Sequence, residues 1–100
     1  MAKAKIEKIE IENVLQKGKT YNVEANKYHD VKAAILKTLP NAGGFNVEQM
    51  YQAILPEVSQ ILFPNGAKLV WWMKAVQLDL EAKGLIKRQN TKPLSFVKVG

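Results

Sequence analysis

Apolar and polar residues alternate with a period of two over 8–12, where Ile9 and Ile11 stand between Lys8, Glu10 and Glu12, and again at Tyr21 and Val23. Two such runs around the QKGK segment at 16–19 predict a β-hairpin over 8–24. Glu and Lys are good helix formers, so a helix over the first run is the competing assignment. From Asn26 the period lengthens. Tyr28, Val31, Ile35 and Leu39 recur at spacings of three and four, which predicts a first helix capped by Asn26 and ended by Pro40 and the NAGG that follows. Asn46 predicts a second helix, with Gln49 completing a capping box and Val47, Met50, Tyr51, Ile54 and Leu55 as its buried stripe. Pro56 disfavours the α conformation at Leu55, so a kink or a short separate helix is expected to carry the chain to the PNG turn at 64–66.

A third helix is predicted from Ala67 to a stop at Gly84. Each residue turns about 100° around such a helix, so Leu69, Met73, Val76 and Leu80 share one face with Trp72 at its edge. Trp71, Ala75, Leu78 and Ala82 fall nearly opposite, with Lys74 and Glu81 beside them. One stripe is core, and the other also seeks apolar contact. LIKRQ at 85–89 and LSFVKV at 94–99 then read as two strands around an NTKP turn. The order predicts an α+β fold of the winged helix-turn-helix kind: a flexible leader over 1–7, an N-terminal hairpin over 8–24, a three-helix core over 26–84 and a β wing over 85–99, all in one domain.

Composition narrows the class. One hundred residues, 47% of them apolar, suit a single core. The absence of cysteine excludes disulfides and thiolate-held metal clusters, and makes the cytoplasm the simplest location. The first ten residues lack the apolar core of a secretory signal, and the longest apolar run, 69–73, is far too short to span a bilayer. The net charge of +6 is unevenly distributed. Residues 1–27 carry six Lys and four Glu, 28–84 balance five Lys against five acids, and 85–100 hold Lys87, Arg88, Lys92 and Lys98 with no acid. Such a basic end suits a polyanion, though it equally suits general solubility.

GKTYNVEANKY at 18–28, AILKTLP at 34–40, LFPNGAKLVWWMKAVQLDLEAKGLI at 62–86 and TKPLSF at 91–96 resemble a family of small bacterial winged-helix proteins of unknown function. The resemblance covers most of the chain beyond the first dozen residues and is densest over WWMKAVQLDLEAKGLI. It implies the fold and brings no substrate, cofactor or functional residue with it. More widely, the chain is similar to winged-helix transcription regulators, whose third helix enters the major groove by its N-terminal residues while the wing follows the backbone. By element order this resemblance implies Lys68, Trp71 and Lys74 as groove-facing residues and Lys87, Arg88 and Lys92 as wing contacts for double-stranded DNA. The third helix offers no Arg, no Asn and one Gln, Gln77, for bidentate base contacts, so backbone binding is expected in preference to operator reading.

Each feature has a plainer alternative. The wing cations could simply keep an edge strand from pairing. Trp71 is expected beneath the N-terminal hairpin; the alternative is an anchor for a homodimer or protein partner, together with Ala75 and Leu78. That alternative makes the chain an interaction module without DNA binding. His29 has no second His and no Cys to join it, so neither a metal nor another cofactor is expected. Asp79 and Lys83 read as an ordinary intrahelical pair. Ser59 and Ser95 lack a nucleophile context and the GG at 43–44 lacks the lysine of a phosphate loop, so no enzyme is expected.

Overall fold

A computed structural model describes residues 7–99. The expected flexible leader, 1–7, lies outside the described residues except for Glu7. The element order is β1 (Lys8–Glu12), β2 (Thr20–Glu24), α1 (Ala25–Thr38), β3 (Phe45–Asn46), α2 (Val47–Ile54), α3 (Leu69–Ala82), β4 (Ile86–Gln89) and β5 (Ser95–Lys98), with a 3-10 turn at Pro64–Gly66 before α3. The result is a mixed α+β domain with three α-helices and two sheets among the described residues, and it starts with a hairpin.

β1 and β2 pair antiparallel with Ile9 opposite Val23 and Ile11 opposite Tyr21. The hairpin assignment therefore holds against the helical one. Period two sends Ile11 and Val23 inward, where both are buried. The predicted stripe of α1 is the buried one: Tyr28, Val31, Ile35 and Leu39 are all within 2% of complete burial. Asn26 does not cap it. The helix starts one residue earlier, Glu24 takes the cap position without a side-chain bond, and Asn26 Oδ1 instead accepts from the N–H of Lys27 at 2.8 Å.

The capping box of α2 is present in both directions, Gln49 N–H to Asn46 Oδ1 at 2.8 Å and Asn46 N–H to Gln49 Oε1 at 2.9 Å. Its buried stripe is narrower than expected, because Val47 on the first turn is exposed while Met50 and Ile54 are fully buried. Pro56 ends the helix by a different route from the one anticipated. Leu55 stays in the right-handed helical region, and the helix stops because Pro56 has no N–H to offer the Gln52 carbonyl. No helix follows. The segment to Phe63 is irregular, pinned by the Ser59 N–H donating to Asp30 Oδ2 at 2.7 Å and by burial of Val58 and Phe63.

α3 begins at Leu69 and not at Ala67, because Lys68 sits in the left-handed region at φ 61° and interrupts the helical run. It ends as expected, with Gly84 left-handed at φ 74°. Its inner face of Leu69, Trp72, Met73, Val76 and Leu80 joins the α1 and α2 stripes, Ile11, Val23, Ile86 and Phe96 in one hydrophobic cluster.

The second sheet has the order β3-β5-β4, all antiparallel. β3 is the one element absent from the expectation. Phe45 stands opposite Phe96 and Asn46 opposite Ser95, so the residues leading into α2 become a third strand beside the C-terminal hairpin. Gly44 permits that approach: a Cβ there would lie 2.7 Å from Gln89 Oε1 and 3.1 Å from the Phe96 carbonyl oxygen, at a φ of 76°.

Candidate functional site: the outer face of α3

α3 is flanked on its outer side by the N-terminal hairpin. Rotation about the helix turns Val70, Trp71, Lys74, Ala75 and Leu78 away from the core, and Ile11, Tyr21 and Val23 approach them from the hairpin. The hairpin does not close onto the helix. Between them lies a groove of about 830 Å³ whose walls are mainly apolar. Trp71 is 59% exposed and Val70 58%, so the expectation that Trp71 is buried beneath the hairpin is corrected. Trp71 meets Trp72 edge to face at 5.3 Å between ring centroids, and Trp72 in turn meets Phe63 at 6.3 Å. The pair therefore links the outer wall to the core.

What holds the hairpin at this distance is a buried carboxylate. Asp79 is fully buried on α3 and accepts from the Glu12 N–H at 2.8 Å, from the Tyr28 hydroxyl at 2.5 Å and from Lys83 Nζ. One side chain thus ties β1, α1 and its own helix together. The sequence shows only the Lys83 partner, four residues away; the others lie 67 and 51 residues distant. Burial, reinforced by the hydrogen bond to Asp79, pushes the Tyr28 hydroxyl well above its ordinary pKa of 10.0. A raised pKa favours the neutral phenol in the folded state, so this contribution is complete below about pH 10 and is lost as pH rises further. Denaturation of the parent and Tyr28→Phe between about pH 9 and 11 is expected to show a steeper alkaline loss in the parent, by up to about 1.4 kcal/mol per pH unit. Equal slopes would refute it.

The sequence-predicted contacts separate into two groups. Lys68, Lys74, Lys87 and Lys92 are exposed, and none makes an ion pair among the described residues. Arg88 is engaged within the fold. Its Nε and Nη2 donate to the two carboxylate oxygens of Glu81 at 2.6 and 3.0 Å, and its guanidinium lies over Phe96. The bond to Glu81 raises the guanidinium pKa further, and the Glu81 side chain is only 4% exposed. Successive residues of a strand face opposite ways, so Lys87 points away from the α3 side that Arg88 occupies. The wing cations therefore do not act as one cluster. Gln77, the single candidate base reader, is buried and donates to Glu81 Oε2 at 2.9 Å.

Sequence reasoning found the outer apolar stripe and set the hairpin over it, but missed the open groove between them. Ile11 and Val23 read as core residues of a hairpin, and nothing local marks them as the far side of a groove. Among the described residues no group of three or more His, Cys, Asp and Glu could hold a metal ion, and no helix is long and apolar enough to cross a membrane.

A model for a family of unknown function, DUF6958, matches residues 8–96, and the chain belongs to that family. No curated protein and no solved structure matches it.

Proposed function

We propose that this member of DUF6958 is a non-catalytic, cytoplasmic interaction module built on a winged-helix scaffold, and that it docks a protein partner in the groove between α3 and the N-terminal hairpin. The winged-helix reading is supported by the order helix, strand, helix, helix, strand, strand from α1 to β5, with β3 added to the C-terminal hairpin. Cysteine-free composition supports the location. The observation that carries the function is the exposure of Trp71 and Val70 on the wall of an apolar groove. Contiguous apolar surface rimmed by polar residues marks interaction sites, and tryptophan is the residue most enriched among their energetic anchors.

Trp71→Glu and Leu78→Glu place a charge in the groove while leaving the inner face of α3 untouched. Both variants are expected to keep the parent's unfolding midpoint and to lose the surface's capacity to bind an apolar reporter dye. If they bind such a dye as the parent does, the groove is not the working surface.

A second reading, DNA backbone binding by a transcription regulator or accessory factor, is favoured by one observation: Lys68 at the start of α3, Lys74 on it and Lys92 in the wing turn have no ion-pair partner among the described residues. Three phosphate contacts predict affinity falling about 40-fold between about 50 and 200 mM salt. A fluorescent duplex titrated at both salts, with Lys68, Lys74 and Lys92 changed together to alanine, tests it. Lys87→Ala serves as the control that faces the other way. Absent binding at low salt, or a triple variant that binds like the parent, rejects this reading.

A further inference from the structure

We infer that the occupant of the groove is an acidic amphipathic helix from a different protein, and not a second copy of this chain; the inference rests on the docking reading above. Charge decides between the two. Lys74 lines the groove and has no ion-pair partner among the described residues. The one carboxylate on the lining, Glu12, lies 3.9 Å from Lys83 Nζ and is already shared with that cation. The groove is thus apolar in its walls, with Lys74 as the one cation on its lining among the described residues.

A two-fold dimer across this groove would bring Lys74 toward its own copy, between two chains that each carry +6. Like charges placed across an interface oppose association. A partner with carboxylates beside its apolar face meets Lys74 with the opposite sign.

The length of the apolar wall suits a helix. Trp71, Ala75 and Leu78 stand at i, i+4 and i+7, so they span about 10 Å along α3, or two helical turns. An amphipathic helix presents anchors over the same distance with the same spacing. Its apolar residues would lie between Trp71 and Leu78 on one side and Tyr21 of the hairpin on the other. An acidic residue one turn from the central anchor would reach Lys74.

The test uses the full chain and two synthetic helical peptides that share one set of leucine and phenylalanine anchors. The first carries glutamates flanking the anchors and the second carries lysines. Fluorescence reports binding, because Trp71 is exposed and Trp72 is buried. The glutamate peptide is expected to bind at least ten times more tightly than the lysine peptide to the parent, and Lys74→Glu is expected to narrow or reverse that preference. Trp71→Phe is expected to remove most of the signal while binding persists by anisotropy of a labelled peptide. Equal binding of both peptides to the parent and to Lys74→Glu would overturn the acidic partner while leaving the docking groove in place. A dimer of the isolated chain in sedimentation that Leu78→Glu dissolves would also overturn the heterologous partner and keep the groove. If neither peptide binds and the chain is monomeric, the inference and the docking reading both fall.

Discussion

Asp79→Ala is expected to destabilise the fold by about 3–5 kcal/mol, the range found when one partner of a buried charged network is removed. The residue is fully buried, and its loss leaves the Tyr28 hydroxyl, the Glu12 N–H and the Lys83 ammonium without their shared acceptor. Domains of this size have only about 5–15 kcal/mol of total stability. Chemical denaturation should therefore show a much earlier midpoint, and thermal melting a fall of about 12 °C or more. Asp79→Asn keeps a carbonyl acceptor at the site and is expected to lie between parent and Asp79→Ala. A double-mutant cycle with Tyr28→Phe isolates the hydroxyl–carboxylate bond, for which a coupling of about 1.5–3 kcal/mol is expected. A loss below about 1 kcal/mol for Asp79→Ala would mean that water replaces the carboxylate without penalty.

The same variant has a functional consequence. Asp79 receives the backbone of Glu12, where β1 meets the groove, so it sets the separation of the two walls. Asp79→Asn retains one acceptor for that N–H, and is expected to retain more of the groove's binding than Asp79→Ala under conditions where both are folded.

The sequence revealed what short-range periodicity can encode. The inner faces of α1 and α3 were legible because burial on one side of a helix forces apolar residues to recur at three and four. The Asn46–Gln49 box was legible because its two bonds join residues three apart. β3 was hidden because two residues cannot display a period, and Phe45 looks like a loop residue until Phe96 is placed opposite it. The interrupted start of α3 was hidden because a left-handed lysine leaves no composition signal. At the site, the apolar outer stripe of Trp71, Ala75 and Leu78 could be read from helical rotation, but not its exposure. That depends on how far Asp79 lets the hairpin approach, and on contacts between residues more than fifty positions apart. Pairing at a spacing of four and seven residues also engages two side chains read as available for DNA. Gln77 and Arg88 both converge on Glu81, a residue that looked uninvolved from its position on the helix.

Arg88→Ala is the second variant with a large expected effect, about 2–3 kcal/mol, and it separates a structural cation from a phosphate-binding one. The guanidinium grips Glu81 with two bonds and covers Phe96, which straps β4 to the outer side of α3. Truncation leaves a carboxylate that is only 4% exposed with Gln77 as its remaining donor. The cost should come mainly from that stranded charge, so adding Glu81→Ala to Arg88→Ala is expected to return part of the stability instead of adding a second loss. Arg88→Lys keeps the charge but not the fork, and is expected to recover less than half, because an ammonium cannot bond both oxygens in the plane of the carboxylate. Urea denaturation of the four proteins measures all of this. An Arg88→Ala variant as stable as the parent, with weaker affinity for duplex DNA at low salt, would return Arg88 to the phosphate contacts and move the weight of the molecule's function from the groove to the wing.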